Sequence, residues 1–112
     1  MNVLIFANDK KVAKPLEGWI KQLSVQPEKI RYVYSNKEML SYLKENEEPD
    51  LIFNVCEDQV KPYFEFFSKN QVSSGLVFIA DNDKYIESSF LFNTLHFLYG
   101  ELSVADIKFC FD

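Results

Sequence analysis

Three short segments of this chain are apolar almost without interruption, and each is followed by a stretch that reads as helical. The segments are residues 2–7 (Asn-Val-Leu-Ile-Phe-Ala), 50–56 (Asp-Leu-Ile-Phe-Asn-Val-Cys) and 76–80 (Leu-Val-Phe-Ile-Ala). A strand with one face in water alternates apolar and polar residues. A strand with almost no polar positions is covered on both faces, which is the condition of a parallel sheet under helices.

The intervening segments fit that condition. After residues 2–7, Val12, Leu16, Ile20 and Leu23 recur at helical spacing with Trp19 at their border, which predicts a helix over 10–23. Pro15 is then expected in or near the first turn, where its missing N–H costs least. Gly18 weakens the same helix slightly. Residues 29–34 alternate like a strand, and Ser35 with Glu38 forms a capping box for a helix carrying Met39, Leu40 and Leu43. That helix is expected to fray at 46–49. A helix over 62–69 opens with Pro62 in its first turn and carries Tyr63, Phe64, Phe66 and Phe67. Residues 73–75 read as a turn, 83–92 as a helix, 94–98 as the last strand and 103–109 as a short closing helix.

The order is βαβαβαβαβα within 112 residues, the size of one domain, here 1–112. Right-handed crossovers limit such a chain to an α/β doubly wound parallel sheet, and five strands suggest the flavodoxin-like order 2-1-3-4-5. Ligands of such folds sit outside the carboxyl ends of the strands, near the switch point between the first and third. The residues expected there are 7–9, 54–58, 80–83 and 98–100.

Several functions are disfavoured. No glycine-rich phosphate loop follows the first strand, and the chain has three glycines, which argues against a nucleotide, dinucleotide or flavin enzyme. The net charge of -5 opposes direct nucleic-acid binding. The longest apolar runs fall far below the roughly 20 residues that span a bilayer, so no membrane association is expected. The amino-terminal residues lack the charged region and cleavage site of a signal peptide, and a cytoplasmic location is expected. Cys56 and Cys110 lie far apart without a CxxC partner, so they read as small apolar residues in a reducing compartment, not as a zinc site. No metal and no cofactor is expected.

Three runs carry a family resemblance. Asp50-Leu-Ile-Phe-Asn-Val-Cys-Glu-Asp resembles the third strand of a response-regulator receiver, where the usual run is D-L-I-F-M-D-I-Q-L. Residues 76–85 are similar to the family's V-I-F-T-T-A-Y-D-E-Y, and residues 89–100 to its A-F-K-V-N-S-I-D-Y-L-L-K. The likeness is greatest to receivers of LytTR-type regulators and covers nearly the whole chain. It implies the CheY-like receiver fold and a place in two-component signal transduction, as part of a phosphorelay.

The positions that would carry the family's chemistry do not hold its residues. The phosphoacceptor aspartate falls on Val55, and the acidic pair that holds Mg²⁺ on Ala7 and Asn8. The switch hydroxyl falls on Ala80 and the conserved lysine on Gly100, with Glu101 in place of the following proline. Loss of the whole set implies that phosphoryl transfer is not performed. The resemblance therefore implies a degenerate receiver, not an enzyme, that works by phosphorylation-independent protein contact. The partners expected are a histidine kinase, another regulator or a second copy as a homodimer, and the module would form the regulatory part of a larger regulator or an adaptor. Asp9, Glu57, Asp58 and Asp81 are expected around the same rim as solvated carboxylates.

Aromatic residues supply the contact candidates. A helix face cannot bury all of Tyr63, Phe64, Phe66 and Phe67. Phe64 and Phe67 are expected in the core, and one or both of Tyr63 and Phe66 outside it. On the last helix–strand corner Phe90, Leu95 and Phe97 are expected in the core, and Phe92, His96 and Tyr99 are the candidate partner contacts. Three other readings stay open: an active receiver in a shifted register of the third strand, which brings Asp58 toward the site; a small flavodoxin-like ligand-binding domain; and the N-terminal domain of an ATP-grasp-type enzyme, which also carries an Asp-Leu-Ile-Phe-Asn-like run.

Overall fold

Asn2–Ala7 forms β1, Leu51–Glu57 forms β3 and Gly75–Ala80 forms β4 in the computed structural model, which describes residues 1–112. These are the three apolar runs, and they make the centre of the sheet. Lys29–Val33 (β2) and Thr94–Tyr99 (β5) are its edges. All pairings are parallel and the order is β2-β1-β3-β4-β5, the doubly wound arrangement expected.

The strand period of two divides the core into halves. On one face Leu4, Phe6, Ile52, Cys56, Phe78 and Phe97 pack under helices α2 (Asn36–Glu45) and α3 (Val60–Lys69). On the other, Val3, Ile5, Phe53, Val55 and Val77 pack under α1 (Lys10–Lys21) and α5 (Val104–Phe111). The edges are protected unequally. β2 alternates and shows Lys29 and Arg31 to solvent, charges that discourage strand addition. β5 carries no Lys, Arg, Asp or Glu.

Helix starts follow local chemistry. Asp9 caps α1 by accepting the Val12 N–H at 3.1 Å. Ser35 Oγ accepts the Glu38 N–H at 3.1 Å as expected, but the Glu38 carboxylate reaches back to the Tyr34 N–H at 3.2 Å, one residue earlier than the standard box. A second box, Ser103 with Asp106, opens α5. No helix is long and apolar enough to cross a membrane.

Four expectations need correction. Pro15 is the sixth residue of α1, beyond the first turn, and removes the bond its N–H would give the Lys11 carbonyl. The helix expected over 83–92 shrinks to α4, Ile86–Ser89. Asn82 Oδ1 accepts the Lys84 N–H at 3.0 Å and Ser89 Oγ donates to the Ile86 carbonyl at 2.6 Å, so side chains compete with the helix ladder. Beyond Ser89 the backbone makes only three-residue turns, and Phe90 and Leu91 swing into solvent. Phe90 and Leu95, expected in the core, are exposed. A register shift at Leu95 lays its side chain over Gly75, where an added Cβ would stand 2.5 Å from Leu95 Cδ1. Tyr63 and Phe66 are both buried, because β1 offers Phe6 to each ring at 4.9 and 5.5 Å.

Candidate functional site

The carboxyl ends of β1, β3, β4 and β5 bring Ala7, Asn8, Val55, Ala80 and Gly100 to one end of the sheet. Ala7 pairs with Val55 across β1 and β3, and Ala80 with Tyr99 across β4 and β5. Ala7, Val55 and Ala80 are buried and Asn8 and Gly100 are exposed. None of the five carries a carboxylate, hydroxyl or ammonium. Divalent Mg²⁺ requires charged oxygen ligands in such a place. Ala7 has no donor atom, Asn8 offers a neutral amide, and Asp9 spends its carboxylate on the start of α1. Ala7, Asn8 and Asp9 therefore do not fit the Mg²⁺ that the resemblance implies for the end of β1.

A cleft of about 170 Å³ opens at this end, between α1 and the ends of β3 and β4. Val55, Ala80 and Gly100 line it together with Val12, Leu16, Trp19 and Ile79 on its walls and floor. Glu57 and Asp81 supply its charge. Glu57 follows a register shift in β3 and has φ 53°, a left-handed conformation that few residues with a Cβ adopt. Its carbonyl accepts the Asp81 N–H at 3.0 Å, which ties the two acidic residues together. Gly100, at φ 76°, makes the left-handed turn out of β5. Tyr63 Oη donates to the Val55 carbonyl at 3.0 Å and pins α3 beneath the same strand end. Burial in that apolar setting pushes the Tyr63 hydroxyl and the neighbouring Cys56 thiol well above their usual pKa values. Cys56 is thus a thiol held inert in the core. A larger hollow of about 440 Å³ lies at the opposite, amino end of the strands beside Phe67, Val72, Leu91 and Phe92, away from the switch point.

The three contact candidates do not share a face. Alternation along β5 places Phe97 and Tyr99 on the α3 side and His96 and Leu98 on the α5 side, where the His96 ring lies 5.2 Å from Phe109. Phe92 precedes β5 and packs against Phe64 at 5.3 Å. It stands roughly 20 Å of strand away from Tyr99. Tyr99 is 46% exposed, while Phe92 and His96 are half-buried. The residues that do reach solvent are Phe90 (64%), Leu91 (84%), Leu95 (51%) and Phe109 (63%). With Tyr99, they make five of the eight large exposed apolar side chains, all on β5 or the elements flanking it. Phe90, Leu91 and Leu95 were not singled out as contacts from the sequence. The adjacent Phe90-Leu91 pair, one of which any helix must expose, was the available signal.

The sequence matches no protein-family model and no curated protein. Solved structures do resemble the chain. The N-terminal domain of a response regulator/sensory box/GGDEF three-domain protein from Carboxydothermus hydrogenoformans is 12% identical with a TM-score of 0.69, over 97% of this chain and 89% of that one. A CheY-like response regulator receiver domain from Methylobacillus flagellatus is 16% identical with a TM-score of 0.70, over 99% of this chain and 95% of that one. The chain has the receiver fold.

Proposed function

We propose that this chain is a receiver-like signalling module of a two-component-type system that acts through protein contact without forming an aspartyl phosphate. Ala7, Asn8, Val55, Ala80 and Gly100 supply none of the groups that phosphoryl transfer requires at the strand ends. A module of this kind transmits a signal only through differential affinity for partners. The observation that carries the reading is the β5 edge, uncharged and flanked by Phe90, Leu91, Leu95, Tyr99 and Phe109 in solvent. Exposed aromatic and aliphatic side chains spread along an uncharged sheet edge leave apolar surface open to a partner. The partner is a second copy, a histidine kinase or another regulator, and the compartment is the cytoplasm.

The double variant Leu91→Ser/Tyr99→Ser tests this surface. Both side chains are solvent-facing, so the circular dichroism spectrum and Tm should stay close to those of the parent. Self-association in sedimentation equilibrium, or capture of a purified candidate kinase, should weaken about tenfold or more. Unchanged association by the folded variant would place the working surface elsewhere.

A further inference from the structure

We propose that the cleft between α1 and the ends of β3 and β4 binds a small primary amine, with its apolar body inside and its ammonium between Glu57 and Asp81. The β5 edge plays no part in this site, and neither reading depends on the other.

Size and chemistry select the class of ligand. The cleft holds about 170 Å³. An apolar cavity of about 150 Å³ is enough to take up benzene. Val12, Leu16, Trp19, Val55 and Ile79 give it apolar walls, which reward a branched alkyl or aryl group. Its only ionisable lining residues are Glu57 and Asp81, so a cation is drawn to the rim and a carboxylate repelled. The backbone that carries both acids is fixed by hydrogen bonds. The Asp81 N–H bonds the Glu57 carbonyl at 3.0 Å, and the Gln59 N–H bonds the Cys56 carbonyl at 2.8 Å. Together these bonds support Glu57 in its left-handed conformation, an arrangement that concentrates at ligand-binding positions. At the mouth, Gly100 presents no side chain, and the space beside its Cα is open for at least 4 Å. A long cationic side chain there would compete for the same two carboxylates. With Gly100 in that place, the two acids are left for a ligand from outside.

Trp19 is the only tryptophan of the chain and stands in the cleft wall, so its emission reports occupancy. Isopentylamine, isopentanol and isovalerate share one branched body and differ in head group. Each would be titrated into the full chain while Trp19 emission and the methyl resonances of Val55 and Ile79 are followed. Isopentylamine should saturate both signals with a millimolar Kd. Isopentanol should bind about fivefold more weakly, the size expected for solvent-exposed charge pairs. Isovalerate should give no saturable change. Glu57→Gln/Asp81→Asn should bring the amine down to the alcohol's affinity and leave the alcohol unchanged. Val12→Phe should fill the cleft and abolish all binding, and Ile79→Phe fills it from the β4 side should the first variant fail to fold. No saturable response to the amine, equal binding of isovalerate, or amine binding that survives in a folded filled-cleft variant would overturn the assignment.

Discussion

Asn54 is the one polar side chain in the middle of β3, and it is completely buried between Phe6 and Phe78 on the neighbouring strands. Its amide nitrogen donates to the Ile52 and Val77 carbonyls at 3.3 and 3.2 Å, but its Oδ1 has no partner. An unpaired buried acceptor costs more than two long, weak bonds return. Asn54→Leu, which keeps the branching and the number of side-chain heavy atoms, should therefore stabilise the domain by about 1 kcal/mol in urea unfolding. A loss of stability would mean that the amide contributes more than its hydrogen bonds show. This residue was visible in the sequence as a polar interruption of an apolar run. Its burial was legible too, because a strand between two others in a doubly wound sheet has no exposed face. The fate of its oxygen was not legible, since that depends on which carbonyls the neighbouring strands present.

The central strands and their order were legible because an apolar run without a polar face has one stable place in an α/β domain. The outer elements were harder, because competition among weak bonds decides them. α4 shortens where Ser89 and Asn82 bond to nearby backbone, and Phe90 and Leu91 leave the core as a result. The candidate site was legible in its location at the strand ends. Its cleft was not, because that depends on the angle at which α1 brings Val12 and Trp19 over Val55. Within α1, Pro15 interrupts a helix that otherwise runs from Lys10 to Lys21. Pro15→Ala restores the N–H for the Lys11 carbonyl and should stabilise the domain by about 1–3 kcal/mol, read as a higher urea midpoint at unchanged m. A lower midpoint would show that the proline's restriction of the unfolded chain outweighs the missing bond.

Across the whole molecule, burial decides how stability changes with pH. Cys56, Cys110 and Tyr63 are buried in their neutral forms. Burial raises the Cys110 thiol from its ordinary 9.0 to about 12, the Cys56 thiol in the same direction, and the Tyr32 phenol from 10.0 to about 12. Above pH 9 the unfolded chain gives up these protons before the folded one does. The stability from keeping them neutral is complete below pH 9 and falls as pH rises, by about 1.4 kcal/mol per pH unit for each buried thiol. Cys56→Ala/Cys110→Ala should flatten the decline between pH 9 and 10, whatever its effect at neutral pH. An equally steep decline in the variant would assign the alkaline limit to other groups.

The proposed signalling by a receiver fold without receiver chemistry rests on two features of the whole molecule. The β5 edge supplies a surface, and the strand ends supply an apolar cleft where phosphoryl transfer would need acids, a hydroxyl and a lysine. The most direct measurement is an amide NMR titration of the full chain with beryllofluoride and Mg²⁺, which together imitate an aspartyl phosphate. A contact module without an aspartyl phosphate should show no saturable shift at residues 7–9, 54–58, 80–83 or 99–101. A saturable set of shifts centred on Asp9, Glu57, Asp58 or Asp81 would contradict it and show that a rearranged acidic site still takes the phosphoryl group.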